Sequence, residues 1–179
     1  MRFLIFFRHP GDVSIGDALD EALATGDERW LRAILVSRRG LPGAQLDLRL
    51  LATFAGAVGE VILQPDPPVE RLEHLLDGWA ALSDRQARGD RPEVVLPCAA
   101  VAAFGEAAVV RPDWFDDEVA KLRRAAGDPR QRVREVVARS LARMLDADRH
   151  RTTAALLGWA DDDDPLVARV AAAALAVRS

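Results

Sequence analysis

Apolar residues recur at helical spacing in the C-terminal third of the chain, and the pattern appears twice. Residues 128–141 read D-P-R-Q-R-V-R-E-V-V-A-R-S-L, and residues 164–175 read D-P-L-V-A-R-V-A-A-A-A-L. When Val133 is aligned with Val167, the apolar positions coincide at alternating spacings of three and one, which places them on one helix face. Each segment follows an Asp-Pro turn. A helical pattern that recurs after the same turn is typical of stacked helical repeats.

Helical periodicity also runs through the rest of the chain, interrupted by glycine and proline. Ser14 is expected to cap a helix over residues 15–25 that Gly26 ends, Gly40 to end the second helix, and Asp148 to cap the helix that follows it. A bend or restart is expected at Pro97. Residues 83–92 are predicted to form a charged loop, and Met1–Phe7 a short strand or half-turn. The other predicted helices span 28–39, 44–63, 69–82, 92–110, 112–127, 129–145, 148–160 and 165–177.

Composition points to the same fold class. Half of the 179 residues are apolar, many of them alanine, and tyrosine is absent, which favours helices over strands. A chain of this length can bury a sizeable core without disulfides or metals. The predicted fold is therefore all-α, a right-handed α-solenoid of four to five stacked helical hairpins. We treat residues 1–179 as one domain.

The repeated segments resemble the second half of a HEAT repeat, in which an Asp-Pro turn precedes V-R-x-x-A-A-x-A-L. The matching residues are Asp128, Pro129, Val133, Arg134, Ala138 and Leu141, and then Val167, Ala171, Ala172, Ala174 and Leu175. Val137 and Ser140 stand where the pattern prefers alanine, and Ala168 stands where it has arginine. The resemblance covers residues 112–179, while residues 1–111 would be divergent hairpins. It implies a partner-binding scaffold, or a relative of the HEAT-like DNA alkylation-repair glycosylases, which bind duplex DNA on a basic concave face.

Charge is distributed unevenly along the chain. The net charge is −4, yet residues 121–151 carry 10 basic and 4 acidic residues. On a helix over 129–145, Arg132, Arg139 and Arg143 fall within about 40° of one another. Together with Arg124 they are the candidate contacts for a partner or a phosphate, because arginine offers a planar fork of donors. The alternative is a solvated face balanced by nearby carboxylates.

Arg134 lies on the opposite flank of the same helix. The resemblance implies a structural role for it, bonding to a neighbouring turn at Asp128 or Asp164. The run of carboxylates at 161–164 lacks the spacing and glycine of a calcium loop, and a capped turn is the better interpretation.

The usual nucleotide-binding and hydrolase motifs are absent from the chain. It contains no phosphate-binding loop, no dinucleotide fingerprint and no nucleophile elbow, and its histidines lack zinc-ligand spacing. Trp114 and Trp159 lie near aspartates, as in the glycosylase branch. Core packing explains Trp159, and the preference for acidic residues at helix N-termini explains the aspartates near Trp114. We predict no catalytic residue, metal or cofactor. The single cysteine, Cys98, is interpreted as a buried apolar residue in a reducing, cytoplasmic protein.

The leading functional prediction is a non-catalytic scaffold that binds a protein through the concave groove of its C-terminal hairpins. The alternative is DNA binding or a glycosylase-like activity, which would require Arg32, Arg38, Arg39 and Arg49 to join the candidate arginines on one face. A third possibility is a homodimer through the last helix, which carries few charges.

Overall fold

The structure is a computed structural model that describes residues 14–38 and 46–176. Within these ranges the chain is all-α, as predicted. The predicted element at Met1–Phe7 and the predicted helix-ending residue Gly40 lie outside them. The α-helices are α1 Ile15–Thr25, α2 Arg29–Arg38, α3 Leu48–Ile62, α4 Val69–Ala80, α5 Val95–Val110, α6 Phe115–Ala126, α7 Gln131–Ala147, α8 Arg149–Ala160 and α9 Pro165–Ala176.

Local side-chain chemistry sets several helix ends. The Ser14 hydroxyl accepts from the Asp17 amide at 3.0 Å, and Gly26 closes α1 in the left-handed region at φ 77°. The Asp148 carboxylate accepts from the Arg151 amide at 3.0 Å and starts α8. The predictions of these caps and of the bounds of α1 and α8 are confirmed.

Two predictions of helix geometry were wrong in detail. The third helix begins at Leu48, because the Asp47 carboxylate accepts from the amides of Arg49 and Leu50 and caps it there. Pro97 causes neither a bend nor a restart. It is the third residue of α5, where the first-turn amides have no acceptor within the helix, and a 3₁₀ turn at Pro92–Val94 leads directly into it.

The odd-numbered helices contact one another in chain order: α1 meets α3, α3 meets α5, α5 meets α7 and α7 meets α9. Gly59 of α3 lies against Glu106 of α5, and Glu106 pairs with Arg143 of α7. The charges that act on Cys98, at the start of α5, include Arg130 and Arg132 at the start of α7, whereas Glu106, towards the end of α5, pairs with Arg143, towards the end of α7. These two helices therefore run in the same direction.

The helix α5 lies at the centre of the fold. It packs against α2, α3, α4, α6 and α7, and most of its residues are buried on every side. The stretch Pro92–Val110 is long and apolar enough to cross a bilayer by length and composition, and 78% of its most apolar window is buried inside the fold. Its apolar character is accounted for by its position as the core helix.

The two C-terminal hairpins, α6–α7 and α8–α9, lie side by side. Arg151 at the start of α8 bonds Asp116 at the start of α6, at 2.9 Å, and Arg123 near the end of α6 bonds Asp162 after α8. A Cβ on Gly127 would lie 2.9 Å from the Asp164 carboxylate, so the two Asp-Pro turns also touch. The sequence repeat therefore corresponds to two neighbouring hairpins in contact.

Candidate functional site

The four candidate arginines do not lie together. Arg139 and Arg143, one turn apart on α7, line the same depression between α3, α5 and α7. Arg124 lines a different cavity, between α4, α5, α6 and the start of α7. Arg132 is half-buried near the start of α7, about 10 Å along the axis from Arg139. The geometry thus brings together only Arg139 and Arg143.

We call the depression over α5 the α5 groove. It has a volume of about 360 Å³. Its α3 wall is apolar and mostly small, its α5 floor consists of Ala102 and Glu106, and its α7 wall carries both arginines. The groove is lined by Leu48, Leu51, Ala52, Ala55, Gly56, Ala102, Glu106, Val136, Arg139, Ser140 and Arg143.

Glu106 anchors the charged wall of the α5 groove. It is buried, with its side chain 10% exposed, and its carboxylate pairs with the guanidinium of Arg143, which is 60% exposed. Gly59 makes room for it, because a Cβ there would lie 3.1 Å from the Glu106 Cγ. This pair holds Arg143 at the groove, and removal of the Arg143 guanidinium would leave the buried Glu106 carboxylate uncompensated.

Close packing of α5 and α7 sets the depth of the groove. A Cβ on Gly105 would lie 2.6 Å from the Ser140 Cβ and 3.3 Å from the Ser140 Cα, far inside normal contact. Only glycine allows the two backbones to approach this closely. The Ser140 hydroxyl points at the Val101 carbonyl, 3.4 Å away.

A second depression continues the same face across α7 towards α9. Arg139 lines both depressions and stands between them. The other lining residues are Gln131, Arg134, Glu135, Ala138, Arg169, Val170 and Ala173, and the volume is about 400 Å³. The amide of Gln131 donates to Glu135 at 2.7 Å, so both of those polar groups are engaged. We call the two depressions together the α7 face.

Most of the basic block of residues 121–151 is engaged within the protein. Arg134 donates to the carbonyls of Asp128 and Pro129, at 2.6 and 2.9 Å, which confirms its predicted structural role at a turn. Lys121, Arg123, Arg130, Arg143 and Arg151 each pair with a carboxylate. Among the residues that the structure describes, the members of the block with neither an ion pair nor a bond to a backbone carbonyl are Arg124, Arg132, Arg139 and Arg149.

Of the arginines proposed for a DNA footprint, the three that the structure describes, Arg32, Arg38 and Arg49, line neither depression of the α7 face. Arg32 bonds Glu28 at 2.8 Å, and the other oxygen of Glu28 accepts from the indole of Trp79 at 2.7 Å. These residues line a cavity of about 760 Å³ against α4, which His74 also lines. Arg39 lies outside the described residues.

The single lysine of the chain forms a second polar cluster, on the α4–α6 side of α5. Lys121 donates to Glu118 at 2.9 Å, lies 3.7 Å from Glu73 and stands 5.2 Å from the centre of the Phe104 ring. Burial raises the pKa of Glu118, whose Oε2 is buried without a hydrogen-bond partner. Burial of the Lys121 ammonium lowers its pKa. The hydrogen bond to Glu118 and the surrounding carboxylates outweigh this effect, so the pKa of Lys121 is raised.

A raised lysine pKa keeps the amine protonated, so Lys121 is a structural cation and a poor nucleophile. The cluster lies beside the cavity of about 450 Å³ that Arg124 also lines. Arg124 is thus separated from Arg139 and Arg143 by the body of α5.

The remaining candidates for chemistry have structural roles. Trp159 is buried in the core, and Trp114 is half-buried beneath Arg111, whose guanidinium lies 4.6 Å from the ring centre. Burial raises the pKa of Cys98 to about 12. Asp164 caps the start of α9 by accepting from the Leu166 amide at 2.8 Å, which confirms the capped turn at 161–164. No group of three or more potential metal-ligating side chains occurs within residues 14–38 and 46–176.

Sequence reasoning missed Glu106 and Lys121, although each carries a signal. Glu106 is the only charged residue in the otherwise apolar stretch from Val94 to Val110, and Lys121 is the only lysine. A lone charge in a core helix requires a partner, and that requirement alone would have singled out Glu106.

Comparison of the chain with known protein families, with curated proteins and with solved structures gives no match.

Proposed function

We propose that the protein is a HEAT-like, non-catalytic scaffold that binds a protein partner on the α7 face. The observation that carries the proposal is the placement of Arg139 and Arg143 on one wall of a mostly apolar groove. Protein-binding surfaces combine an apolar centre with arginine, which contributes both stem packing and a multidentate charge. The ordered contact of the odd-numbered helices supports the solenoid arrangement.

Nucleic-acid binding has less support. Counterion release requires several cations on one surface, and most of the basic block is engaged with carboxylates or backbone carbonyls of the protein itself. Arg139 and Arg169 are the exposed arginines on the α7 face without an ion pair among the described residues. We therefore favour a protein partner.

The test is quantitative affinity capture from cells that contain the protein, with tagged wild type, Arg139→Glu and the matched charge reversal Arg85→Glu. Arg85 is exposed in the turn after α4, outside the α7 face. We expect Arg139→Glu to lose the main captured protein and Arg85→Glu to retain it. Equal capture by all three proteins would contradict the assignment of the α7 face.

A further inference from the structure

We propose that the occupant of the α5 groove is an amphipathic α-helix of a partner protein that carries two carboxylates one turn apart; this inference rests on the proposed function. The helical walls of the groove, its dimensions and its charge together define this occupant.

The backbone of the walls excludes pairing with an extended strand. Both walls of the groove are helices, Leu48–Ile62 and Gln131–Ala147, whose main-chain amides and carbonyls bond within the helix. Strand addition requires an open sheet edge, which this surface does not offer. A polyproline segment would require aromatic side chains to stack on, and none lines either depression of the α7 face. Of the three modes in which the peptide takes a regular conformation (strand, polyproline or α-helix), a helix in an apolar groove remains.

The dimensions of the groove suit a helix. The axes of neighbouring packed helices lie about 8–10 Å apart. Because α3 and α7 pack on either side of α5, their axes are separated from each other by roughly twice that distance. A helix with its side chains is about 10–12 Å wide. Small residues on the α3 wall, Ala52 and Gly56, and on the α5 floor, Ala102, leave space between the walls. Leu48, which is 40% exposed, extends the apolar surface at one end. A partner helix lying along α5 could therefore place leucine-sized side chains on this floor.

The basic α7 wall of the groove determines which side of the partner helix carries the carboxylates. The α3 wall is uncharged, while the α7 wall presents Arg139 and Arg143 about 6 Å apart along the helix axis. Arg139 has no ion pair among the described residues, and Arg143 is held in place by Glu106 with most of its side chain exposed. Carboxylates three or four residues apart on a partner helix match this spacing, because they too lie one turn apart. Arginine binds carboxylates through two parallel hydrogen bonds, which gives specificity as well as affinity.

The probe is a displayed library of amphipathic helical peptides with a Leu/Ala face and flanking positions randomised among Glu, Lys and Gln, sorted for binding to the full chain. We expect enrichment of Glu pairs three or four residues apart. Binding of the enriched peptides should fall about tenfold for Arg139→Glu and be unchanged for Arg85→Glu. Because charge reversal at Arg143 would set two carboxylates side by side, its contribution is tested with the paired variant Glu106→Gln/Arg143→Gln, which removes both charges together.

Enrichment of lysine, or of no charge at all, would overturn the acidic-helix occupant. If Arg139→Glu still lost the captured cellular partner, the proposed function would stand and only the chemistry of the occupant would be wrong. If peptides bound equally to wild type and Arg139→Glu, and capture was unaffected by the same substitution, both proposals would fall. Circular dichroism of each variant verifies that the helical fold is retained.

Discussion

The close approach of α5 and α7 at Gly105 can be tested by the addition of one methyl group. In Gly105→Ala the new Cβ would lie 2.6 Å from the Ser140 Cβ, about 1 Å inside the usual carbon–carbon contact distance. Overpacking of this kind costs typically 1–3 kcal/mol, and the directness of the overlap places this site at the upper end. Alanine gains about 1 kcal/mol over glycine in helix propensity. The net expectation is a loss of about 2 kcal/mol in the free energy of unfolding.

The assay is urea unfolding followed by circular dichroism, with a thermal melt alongside. For a chain of this size the expected loss corresponds to a fall of roughly 4–8 °C in Tm. The matched control is Gly78→Ala in α4, where a Cβ would meet no atom within 4 Å. That substitution should raise stability by about 0.5–1 kcal/mol through helix propensity alone.

A second substitution identifies the clash as the cause. Ser140→Gly removes the side chain that the new methyl group would strike, whereas Ser140→Ala retains the offending Cβ. In a double-mutant cycle, Gly105→Ala with Ser140→Gly should show a favourable coupling of about 1–2 kcal/mol, and Gly105→Ala with Ser140→Ala should show little. A Gly105→Ala protein as stable as wild type would refute the packing of α5 against α7, and with it the depth of the α5 groove.

Three further predictions follow from the buried polar groups. Arg134→Ala should lower the free energy of unfolding by about 1 kcal/mol, because two turn carbonyls lose their donor. The control Arg124→Ala should change it by less than about 0.5 kcal/mol. Equal effects of the two substitutions in urea unfolding would contradict the structural role of Arg134. The Lys121 side chain is 12% exposed, protonated and held by Glu118. It should therefore react with an amine acylating reagent at pH 8 far more slowly in the native protein than in urea, as measured by peptide mass spectrometry. Equal rates would contradict its burial. The pKa of Glu118 is raised by burial, so the folded state favours its neutral form, and that contribution to stability is present at low pH and is lost as pH rises through the folded pKa. Wild type should therefore gain stability relative to Glu118→Gln as pH falls from 7 to 4; a relative loss over that range would show that the pKa is not raised.

The sequence predicted the helices well because their signals are local. Ser14, Gly26 and Asp148 act within a few residues of themselves, and the caps they form are present in the structure. The start of α3 was placed too early, because a continuous run of helix-compatible residues conceals the stronger cap at Asp47. Proline at position 97 was over-interpreted, because the cost of proline depends on its place in the helix rather than on its presence.

The candidate site was predicted less completely, because it depends on contacts between distant segments. Helical spacing placed Arg139 and Arg143 on one flank of α7, and both line the α5 groove. The same spacing could not tell that Arg132 lines neither depression of the α7 face, or that Arg124 lines a cavity on the other side of α5. The Glu106–Arg143 pair joins residues 37 positions apart, and no local pattern encodes it.

The most direct test of the proposed function is site-specific photo-cross-linking in cells. A benzophenone amino acid would replace Leu48 at the rim of the α5 groove, or Leu157 on α8 as a control of similar exposed apolar character. The account predicts one discrete adduct with another protein from position 48, its loss in the Arg139→Glu background, and no such adduct from position 157. An adduct of equal yield from both positions, or one from position 48 that persists with Arg139→Glu, would contradict the α7 face as the binding surface.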